Sequence, residues 1–201
     1  SRKKYLCYNQ SIELRSFMRT FKYELLEVIR NRWSARAFSN QRVKKDDIYA
    51  LIEAASYAPS SMNEQPWRFI LGYENDVLLK LRDSLTSSNQ EWANQAPVLV
   101  CLLSHRFHAR NGKENKYNVF DSGSAFAFLS LEATNRGLIA HPMGGFDKEK
   151  IRESFNISDE YDIVLMIAIG YLGDKSLLSE SNQLRENPGS RKSFEENIIV
   201  E

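Results

Sequence analysis

The loop at residues 58–67 carries a dense set of hydrogen-bonding side chains and reads Ala-Pro-Ser-Ser-Met-Asn-Glu-Gln-Pro-Trp. Pro59 and Pro66 cannot continue regular structure, and they bias the residues before them towards extended backbone. A connector needs only one or two turn residues, whereas this loop offers two hydroxyls and two amides, on Ser60, Ser61, Asn63 and Gln65. The pattern indicates contact with a polar ligand, although such a loop taken alone is more often a polar surface loop.

A second candidate is the segment Arg32-Trp33-Ser34-Ala35-Arg36. In an extended segment alternate residues face one side, so Arg32, Ser34 and Arg36 could all point at one anion. The guanidinium fork matches two phosphate oxygens. Near the C-terminus, Arg191 offers a further phosphate ligand. Solvated arginines at a helix end or on the surface explain the same residues without a ligand.

The third candidate is the sequence His-Pro-Met-Gly-Gly-Phe-Asp at residues 141–147. Two successive glycines, Gly144 and Gly145, let a ligand approach the backbone and expose consecutive N–H donors. Such donors suit the N5 and O4 edge of a flavin, where charge and protons arrive on reduction. The alternative is a tight turn before a helix that begins at Lys148, with Asp147 as its N-cap.

The sequence has no motif for metal binding, for serine hydrolysis or for a glycine-rich nucleotide loop. The histidines lack the spacing of a metal site, and the sequence has no Cys-x-x-Cys or His-Glu-x-x-His, so no metal is predicted. No Gly-x-Ser-x-Gly turn supports a serine hydrolase, and Asp121 or Ser122 is better interpreted as a helix cap. Glycine-rich dinucleotide and phosphate loops are also missing, and Cys101 is interpreted as a reduced core residue.

Composition indicates one globular domain. The chain has 201 residues, of which 42% are hydrophobic and 26% charged. The net charge of +1 gives no electrostatic argument for nucleic acid or an anionic membrane as a partner. The longest apolar run, residues 163–172, is too short to span a bilayer, and no signal peptide opens the chain. We therefore expect a cytoplasmic protein with no membrane partner.

Periodicity and turn residues predict the elements that position these motifs. The predicted helices cover residues 22–32, 46–57 with Asp46 as N-cap, 76–85, 120–136 with Gly137 after its end, and 148–155. The predicted strands cover 67–73, 98–103, 163–171 in the centre of the sheet, and 198–200. This order favours an α+β fold, a sheet covered by helices. Residues 1–17 are predicted to be an extension, or an added outer helix, ahead of a domain at 18–201.

In chain order, the arginine segment, the 58–67 loop, Asn89, the glycine turn and Arg191 resemble the FMN-dependent nitroreductase family. The resemblance covers residues 22–201, and the loop is its most specific element. It implies an NAD(P)H:FMN oxidoreductase-like homodimer with FMN in the interface. Such an enzyme takes hydride from NADH or NADPH and reduces a nitroaromatic, quinone or related acceptor by a ping-pong mechanism.

The resemblance also implies roles for single residues. Arg32 and Arg191 are implied to bind the FMN phosphate, together with Ser34. Arg36 is implied to face the N1/O2 edge of the flavin, and Asn89 is implied to contact its pyrimidine ring. The partner subunit supplies its copy of the polar loop: Pro59, Ser60, Ser61 and Asn63, with Gln65 as support.

The glycine turn is implied to lie against the flavin, through Pro142, Met143, Gly144 and Gly145. The two glycine amides are implied to reach N5 and O4. Residues 198–200 are implied to pair with the partner's sheet by strand exchange. No side chain acts as a catalytic group, because the flavin performs the chemistry.

Two departures from the family pattern bear on specificity. Many nitroreductases carry an acidic residue where this chain has Gly144, so only the backbone contact carries over. The connection at 104–120 is short and polar, and it lacks the long helical excursion that covers the pocket in larger members. Two alternatives stay open: a protein that sequesters flavin without efficient NAD(P)H turnover, and a specialised flavin enzyme of the same superfamily, such as a reductive dehalogenase or an azoline oxidase.

Overall fold

The structure is a computed structural model that describes residues 19–200. Seven α-helices alternate irregularly with four strands within that range. The helices are α1 (Glu27–Asn31), α2 (Lys45–Ser56), α3 (Asp76–Asp83), α4 (Ser87–Ala93), α5 (Asn118–Asn135), α6 (Lys148–Phe155) and α7 (Glu180–Arg185). The strands are β1 (Trp67–Tyr73), β2 (Val98–His105), β3 (Leu138–Met143) and β4 (Tyr161–Tyr171), and three short 3₁₀ turns cover Ser61–Asn63, Lys175–Leu177 and Phe194–Asn197.

The four strands form one sheet in the order β1-β2-β4-β3, with every neighbouring pair antiparallel. Trp67 at the start of β1 lies opposite Ser104, which lies opposite Asp162 of β4. Met143 at the end of β3 lies opposite Met166. The predicted α+β class is therefore confirmed, and β4 occupies an interior position as predicted.

Both faces of the sheet are covered by helices, which explains the unbroken apolar run of β2. Alternate residues of a strand point to opposite faces. One face of β2 packs against α3, α4 and α6 through Leu99, Cys101 and Leu103, and the other packs against α2 and α5 through Val98, Val100 and Leu102. Burial raises the pKa of the Cys101 thiol to about 12, as befits a core residue.

Three elements were missed by the sequence analysis: helix α4, helix α7 and strand β3. Helix α4 is seven residues long and opens with polar residues that give no apolar periodicity. Strand β3 runs through the turn motif itself and includes Pro142 opposite Ile167. Proline cannot donate to a strand ladder, and β3 is an edge strand, where that loss is tolerated.

Three predicted helix starts were wrong. The predicted helix 22–32 is reduced to α1, because the chain before it packs against the C-terminal tail, where Lys22 pairs with Glu195 at 2.7 Å. Asp46 lies within the first turn of α2, and Lys44 is the N-cap. Helix α5 begins at Asn118, so Asp121 and Ser122 lie within the helix and do not cap it.

Other local predictions are confirmed. The side chain of Asp147 accepts a hydrogen bond of 3.0 Å from the Lys150 N–H and caps α6. Gly137 follows α5 with a φ of 76°, the left-handed conformation that glycine supplies at a helix end. Residues 106–117 carry no helix, as expected of a short connection.

The C-terminal segment 198–200 is not a strand within the single chain. It follows the turn Phe194–Asn197, and its side chains are exposed, with Ile199 97% accessible. Its exchange with a partner stays a prediction. The predicted extension at residues 1–17 lies outside the described residues. Within the described range, no helix is both long and apolar enough to cross a membrane.

Candidate active site

Two of the predicted phosphate ligands lie side by side, together with an arginine that the sequence analysis did not single out. The guanidinium of Arg19 donates to the backbone carbonyl of Arg32 at 2.9 Å. Burial and the nearby charges of Arg191 and Arg32 lower the pKa of Arg19. Burial and the charge of Arg191 lower the pKa of Arg32 in the same way. Arg19, Arg32 and Arg191 therefore form one cationic cluster, called the arginine cluster below.

Among the residues that the structure describes, none compensates the charge of the arginine cluster. Within residues 19–200 no ion pair joins any of its members to a carboxylate. The Nε of Arg19 is buried without a hydrogen-bond partner, and the side-chain contact of Arg32 is a long one of 3.4 Å to Ser34 Oγ. Like charges held together out of water disfavour their charged forms unless an anion joins them. The cluster is suited to a phosphate, whose oxygens match guanidinium forks.

The alternation predicted for the arginine segment is present. Arg32, Ser34 and Arg36 are half-buried, whereas the three residues that alternate with them, Trp33, Ala35 and Ala37, are buried in the core. The core residues anchor the segment, so the three polar side chains share its outer face.

Glu186 fixes the backbone of this segment from the other end of the chain. Its buried carboxylate accepts hydrogen bonds from the Arg36 N–H at 2.9 and 3.0 Å and from the Ala37 N–H at 2.9 Å. Burial and the charge of Arg185 lower the pKa of Arg36, and Glu186 opposes that change. The Arg36 guanidinium is thus left as a partly buried cation beside the arginine segment.

Trp92 and His141 connect this segment to α4 and β3. The Arg36 guanidinium lies 5.8 Å from the centre of the Trp92 ring, which lies 4.4 Å from the His141 ring. His141 Nδ1 contacts the carbonyl oxygen of Ala35 at 2.9 Å, and since the carbonyl can only accept, Nδ1 carries the proton. Burial, and less strongly the charges of Arg36, Arg32 and Arg185, lowers the pKa of His141 to about 4. The ring is therefore neutral at physiological pH.

The glycine turn is held on α4 through one carbonyl group. The Gly145 oxygen accepts from the Asn89 side-chain amide at 2.9 Å and from the Thr86 hydroxyl and N–H at 3.0 and 3.1 Å. A Cβ at Gly145 would lie 2.6 Å from Asn89 Nδ2, so any side chain there requires Asn89 and Thr86 to shift, whereas a Cβ at Gly144 would meet no atom within 4 Å. Open space therefore faces Gly144.

The turn also keeps polar groups available. Within the described part of the chain, neither the Gly144 N–H nor the Gly145 N–H donates to a protein acceptor. The Oδ1 of Asn89 likewise has no partner there. Pro142 is half-buried on β3, and the Met143 side chain is buried in the core, so only its backbone can face a ligand.

The 58–67 loop adopts an uncommon backbone. Three residues without a glycine's freedom, Met62, Asn63 and Gln65, have φ between 49° and 58°. The Gln65 N–H donates to Ser60 Oγ at 3.0 Å, and Gln65 Nε2 donates to the Asn63 carbonyl at 3.1 Å. Gln65 thus supports the loop from within. Pro59, Met62 and Asn63 are exposed to solvent in the single chain.

Two acidic residues hold the loop to the rest of the domain. The buried carboxylate of Asp121 on α5 accepts from the Ser61 N–H at 2.9 Å. Glu64 accepts from the Ala109 N–H at 2.9 Å and pairs with His108 at 3.2 Å, and the hydrogen bond from Ala109 is the main cause of its lowered pKa. Strained backbone that is held this firmly is characteristic of ligand-contacting loops.

The loop and the glycine turn lie at the same end of the sheet but at opposite edges. The loop leads into β1 and the turn follows β3, with β2 and β4 between them. Three strand spacings separate the two edges by roughly 14 Å, and the register adds an offset along β4, because Trp67 is level with Asp162 whereas Met143 is level with Met166.

Within one chain, helix α4 connects the arginine segment to the glycine turn, because its Trp92 lies under Arg36 and its Asn89 holds Gly145. The 58–67 loop lies at the other edge of the sheet.

The site residues that sequence reasoning missed are Arg19, Thr86, Trp92, Asp121 and Glu186. Each acts through a partner distant in the chain, so no local spacing marks it. Among residues 19–200, no group of His, Cys, Asp or Glu side chains is arranged to hold a metal ion.

Comparisons with known proteins show the family of the chain. The nitroreductase family model matches residues 29–91 and 74–171. The protein named "Putative NADH dehydrogenase/NAD(P)H nitroreductase" of Archaeoglobus fulgidus is 28% identical over 173 residues, covering 82% of this chain and 94% of that protein. A solved structure of an oxidoreductase containing FMN is similar with a TM-score of 0.82 and 34% identity, over 87% of this chain and 90% of that chain. A nitroreductase family protein from Streptococcus pneumoniae has a TM-score of 0.71 and 25% identity, over 89% and 99% of the two chains.

The chain belongs to the nitroreductase family. The predicted class, an FMN-dependent NAD(P)H oxidoreductase, is confirmed at the level of this family. The chemistry of the residues present fits FMN. Within residues 19–200 the arginine cluster has no carboxylate partner, which suits a phosphate, and the glycine turn has unpaired N–H groups and open space at Gly144, which suit a flavin edge.

Proposed function

We propose that this protein takes hydride from NADH or NADPH and reduces a nitroaromatic, quinone or related small-molecule acceptor, with FMN held between two subunits of a homodimer. One observation carries the proposal. Arg32 and Arg191 come from opposite ends of the chain and meet in a cationic cluster with no carboxylate partner in the described range.

The arginine cluster binds the phosphate of FMN, with Arg32 and Arg191 as charged donors and Ser34 beside them. Arg36 stands over Trp92 and supplies positive charge to the N1/O2 edge of the flavin, where it stabilises the reduced, anionic ring. The Oδ1 of Asn89 accepts from the pyrimidine ring, since its Nδ2 already holds Gly145.

The chemistry that FMN supplies when bound is hydride transfer, from the nicotinamide to the acceptor in ping-pong order. The N–H groups of Gly144 and Gly145 donate towards the N5 and O4 edge and offset the charge that develops there. Gly144 leaves the nearby space open for the ring. No side chain of this site has to donate or abstract a proton.

The second half of the site comes from the partner subunit. The polar loop of Pro59, Ser60, Ser61 and Asn63 lies at the sheet edge opposite the glycine turn; Pro59 and Asn63 are exposed in the single chain, and Ser60 and Ser61 are half-buried. Apolar side chains exposed near it favour association: Met62 is 66% accessible, and Phe120 on α5 is 74% accessible. Residues 198–200 are also apolar and exposed, and they pair with the partner's sheet.

An absorption spectrum of the purified protein tests the cofactor and the reductant together. We expect a flavin spectrum that bleaches when NADPH or NADH is added without oxygen, and the faster donor identifies the reductant. Bound flavin that stays oxidised with both donors would contradict oxidoreductase function and favour a flavin-sequestering protein. A protein that takes up no flavin from excess FMN would contradict the whole proposal.

Hybrid dimers test the shared site. Arg32→Ala removes a phosphate ligand, and the double variant Ser61→Ala/Asn63→Ala removes loop contacts. Each pure dimer is expected to lose FMN. When the two variants are unfolded together and refolded as a mixture, one site of each hybrid is intact, so about a quarter of all sites regain FMN. If no binding returns, both halves of the site belong to the same chain.

A further inference from the structure

We propose that Arg19 is a third guanidinium ligand of the FMN phosphate. It is held in place by the contacts of Lys22 and Tyr23 with Phe194 and Glu195 of the C-terminal tail, which are called the clasp below. This inference rests on the proposed FMN site and extends it to a residue outside the region that the family model matches, which begins at residue 29.

Arg19 is tied to the arginine segment and still has donors to offer. Its Nη1 donates to the Arg32 carbonyl at 2.9 Å, which ties the Arg19 guanidinium to the backbone of the arginine segment. Its Nε is buried and has no partner within the described residues. A buried N–H without an acceptor is costly. A phosphate oxygen bound between the arginines supplies that acceptor.

The charge of the arginine cluster points to the same ligand. Three cations meet with no carboxylate paired to them in the described range. A phosphate monoester carries a charge of about −1.5 to −2 near neutral pH. A third guanidinium therefore allows the phosphate to be fully neutralised while a positive charge remains to attract it.

The clasp brings Arg19 and Arg191 to Arg32. Lys22 lies three residues after Arg19, pairs with Glu195 at 2.7 Å and lies 4.8 Å from the centre of the Phe194 ring. Tyr23 meets the same ring edge-on, with centroids 5.4 Å apart. Since an exposed ion pair contributes little by itself, Phe194 is the main contact of the clasp.

The test compares the affinities of the deflavinated enzyme for FMN and for riboflavin, which lacks the phosphate, by quenching of flavin fluorescence. In Arg19→Ala, FMN affinity is expected to fall about tenfold or more, as for the loss of a charge-assisted hydrogen bond. Riboflavin affinity is expected to stay within about twofold. Arg30→Ala is the matched control, because this exposed arginine of α1 lies 5.6 Å from the Phe21 ring and outside the cluster.

Two further variants keep the test decisive if Arg19→Ala folds poorly. Arg19→Lys keeps the charge but loses the fork, and Phe194→Ala opens the clasp without touching the cluster. Both are expected to weaken FMN binding while sparing riboflavin. Equal loss of FMN and riboflavin, or no loss of either in the Arg19 variants, would overturn the role of Arg19.

The outcomes also separate this inference from the proposed function. If Arg32→Ala loses FMN while both Arg19 variants retain it, the phosphate site stands and the inference about Arg19 is wrong. If the unmodified protein binds neither FMN nor riboflavin, the proposed function fails, and the inference fails with it.

Discussion

The side-chain amide of Asn89 donates a hydrogen bond of 2.9 Å to the carbonyl oxygen of Gly145. This bond joins the short helix α4 to the glycine turn after β3. It also leaves so little room that a Cβ at Gly145 would lie 2.6 Å from Asn89 Nδ2. The neighbouring Gly144 has open space on its side of the turn. The two glycines therefore serve different purposes.

Gly145→Ala and Gly144→Ala separate these purposes. We expect Gly145→Ala to lower the free energy of unfolding by about 1–3 kcal/mol, because Asn89 and Thr86 must move. Gly144→Ala is expected to change it by less than about 0.5 kcal/mol and still to weaken FMN binding, because its methyl group enters the proposed flavin space. Urea unfolding of the deflavinated protein and FMN titration measure both effects. Equal destabilisation by the two substitutions would contradict this division.

Asp121 is expected to govern the order of the polar loop. Its carboxylate accepts from the Ser61 N–H at 2.9 Å and is buried. Asp121→Ala leaves that N–H without its acceptor, at a cost of about 1–3 kcal/mol. Amide hydrogen exchange within residues 60–65 should become faster than in the unmodified protein.

Asp121→Asn is the matched control, since its carbonyl oxygen still accepts a hydrogen bond from Ser61. It should restore most of the protection that Asp121→Ala loses. If both variants exchange like the unmodified protein, the loop is held by Gln65 and Glu64 alone.

Local features of the fold were predictable because their causes lie within a few residues. Asp147 caps α6 through the N–H three residues on, and Arg32, Ser34 and Arg36 share a face because alternate residues of an extended chain do so. The polar loop could be recognised from four hydrogen-bonding side chains that lie between two prolines. These patterns predicted the candidate ligand-contacting residues from the sequence alone.

The contacts that assemble the candidate site could not be predicted from local sequence patterns. Glu186 reaches the Arg36 N–H across 150 residues of sequence, and Asp121 reaches Ser61 across 60. No local sequence pattern around Glu186 or Asp121 indicates that its hydrogen-bond donor lies so far away in the chain. Strand β3 was missed for a related reason, because a proline within it argues against a strand until the strand is known to lie at an edge.

His141 should make the stability of the protein depend on pH. Burial lowers its pKa to about 4, below its usual value of 6.5. Between these values the unfolded chain binds a proton that the folded chain does not, so stability falls as pH drops through this window. The full difference is on the order of 3 kcal/mol.

His141→Phe removes this titration, although it also removes the hydrogen bond to Ala35. We expect the variant to be less stable near pH 7 and the two stability curves to converge as pH falls from 6.5 towards 4. Denaturant unfolding at a series of pH values measures both curves. Parallel curves would show that His141 does not titrate in this range.

Glu186 is expected to hold the arginine segment in its binding conformation. Its two carboxylate oxygens accept from the N–H groups of Arg36 and Ala37 at 2.9–3.0 Å. Glu186→Gln replaces an acceptor with an NH₂ group that faces these donors, so we expect a loss of about 1–3 kcal/mol in the free energy of unfolding. Weaker FMN binding should accompany it, because Arg36 loses its support.

Glu180→Gln makes the same chemical change at an exposed position at the start of α7. It should alter the free energy of unfolding by less than about 0.5 kcal/mol and leave FMN affinity unchanged. Denaturant unfolding and FMN titration of Glu186→Gln and Glu180→Gln under the same conditions test this prediction. Equal behaviour would mean that the N–H groups of Arg36 and Ala37 find other acceptors, and that the segment keeps its shape without the carboxylate.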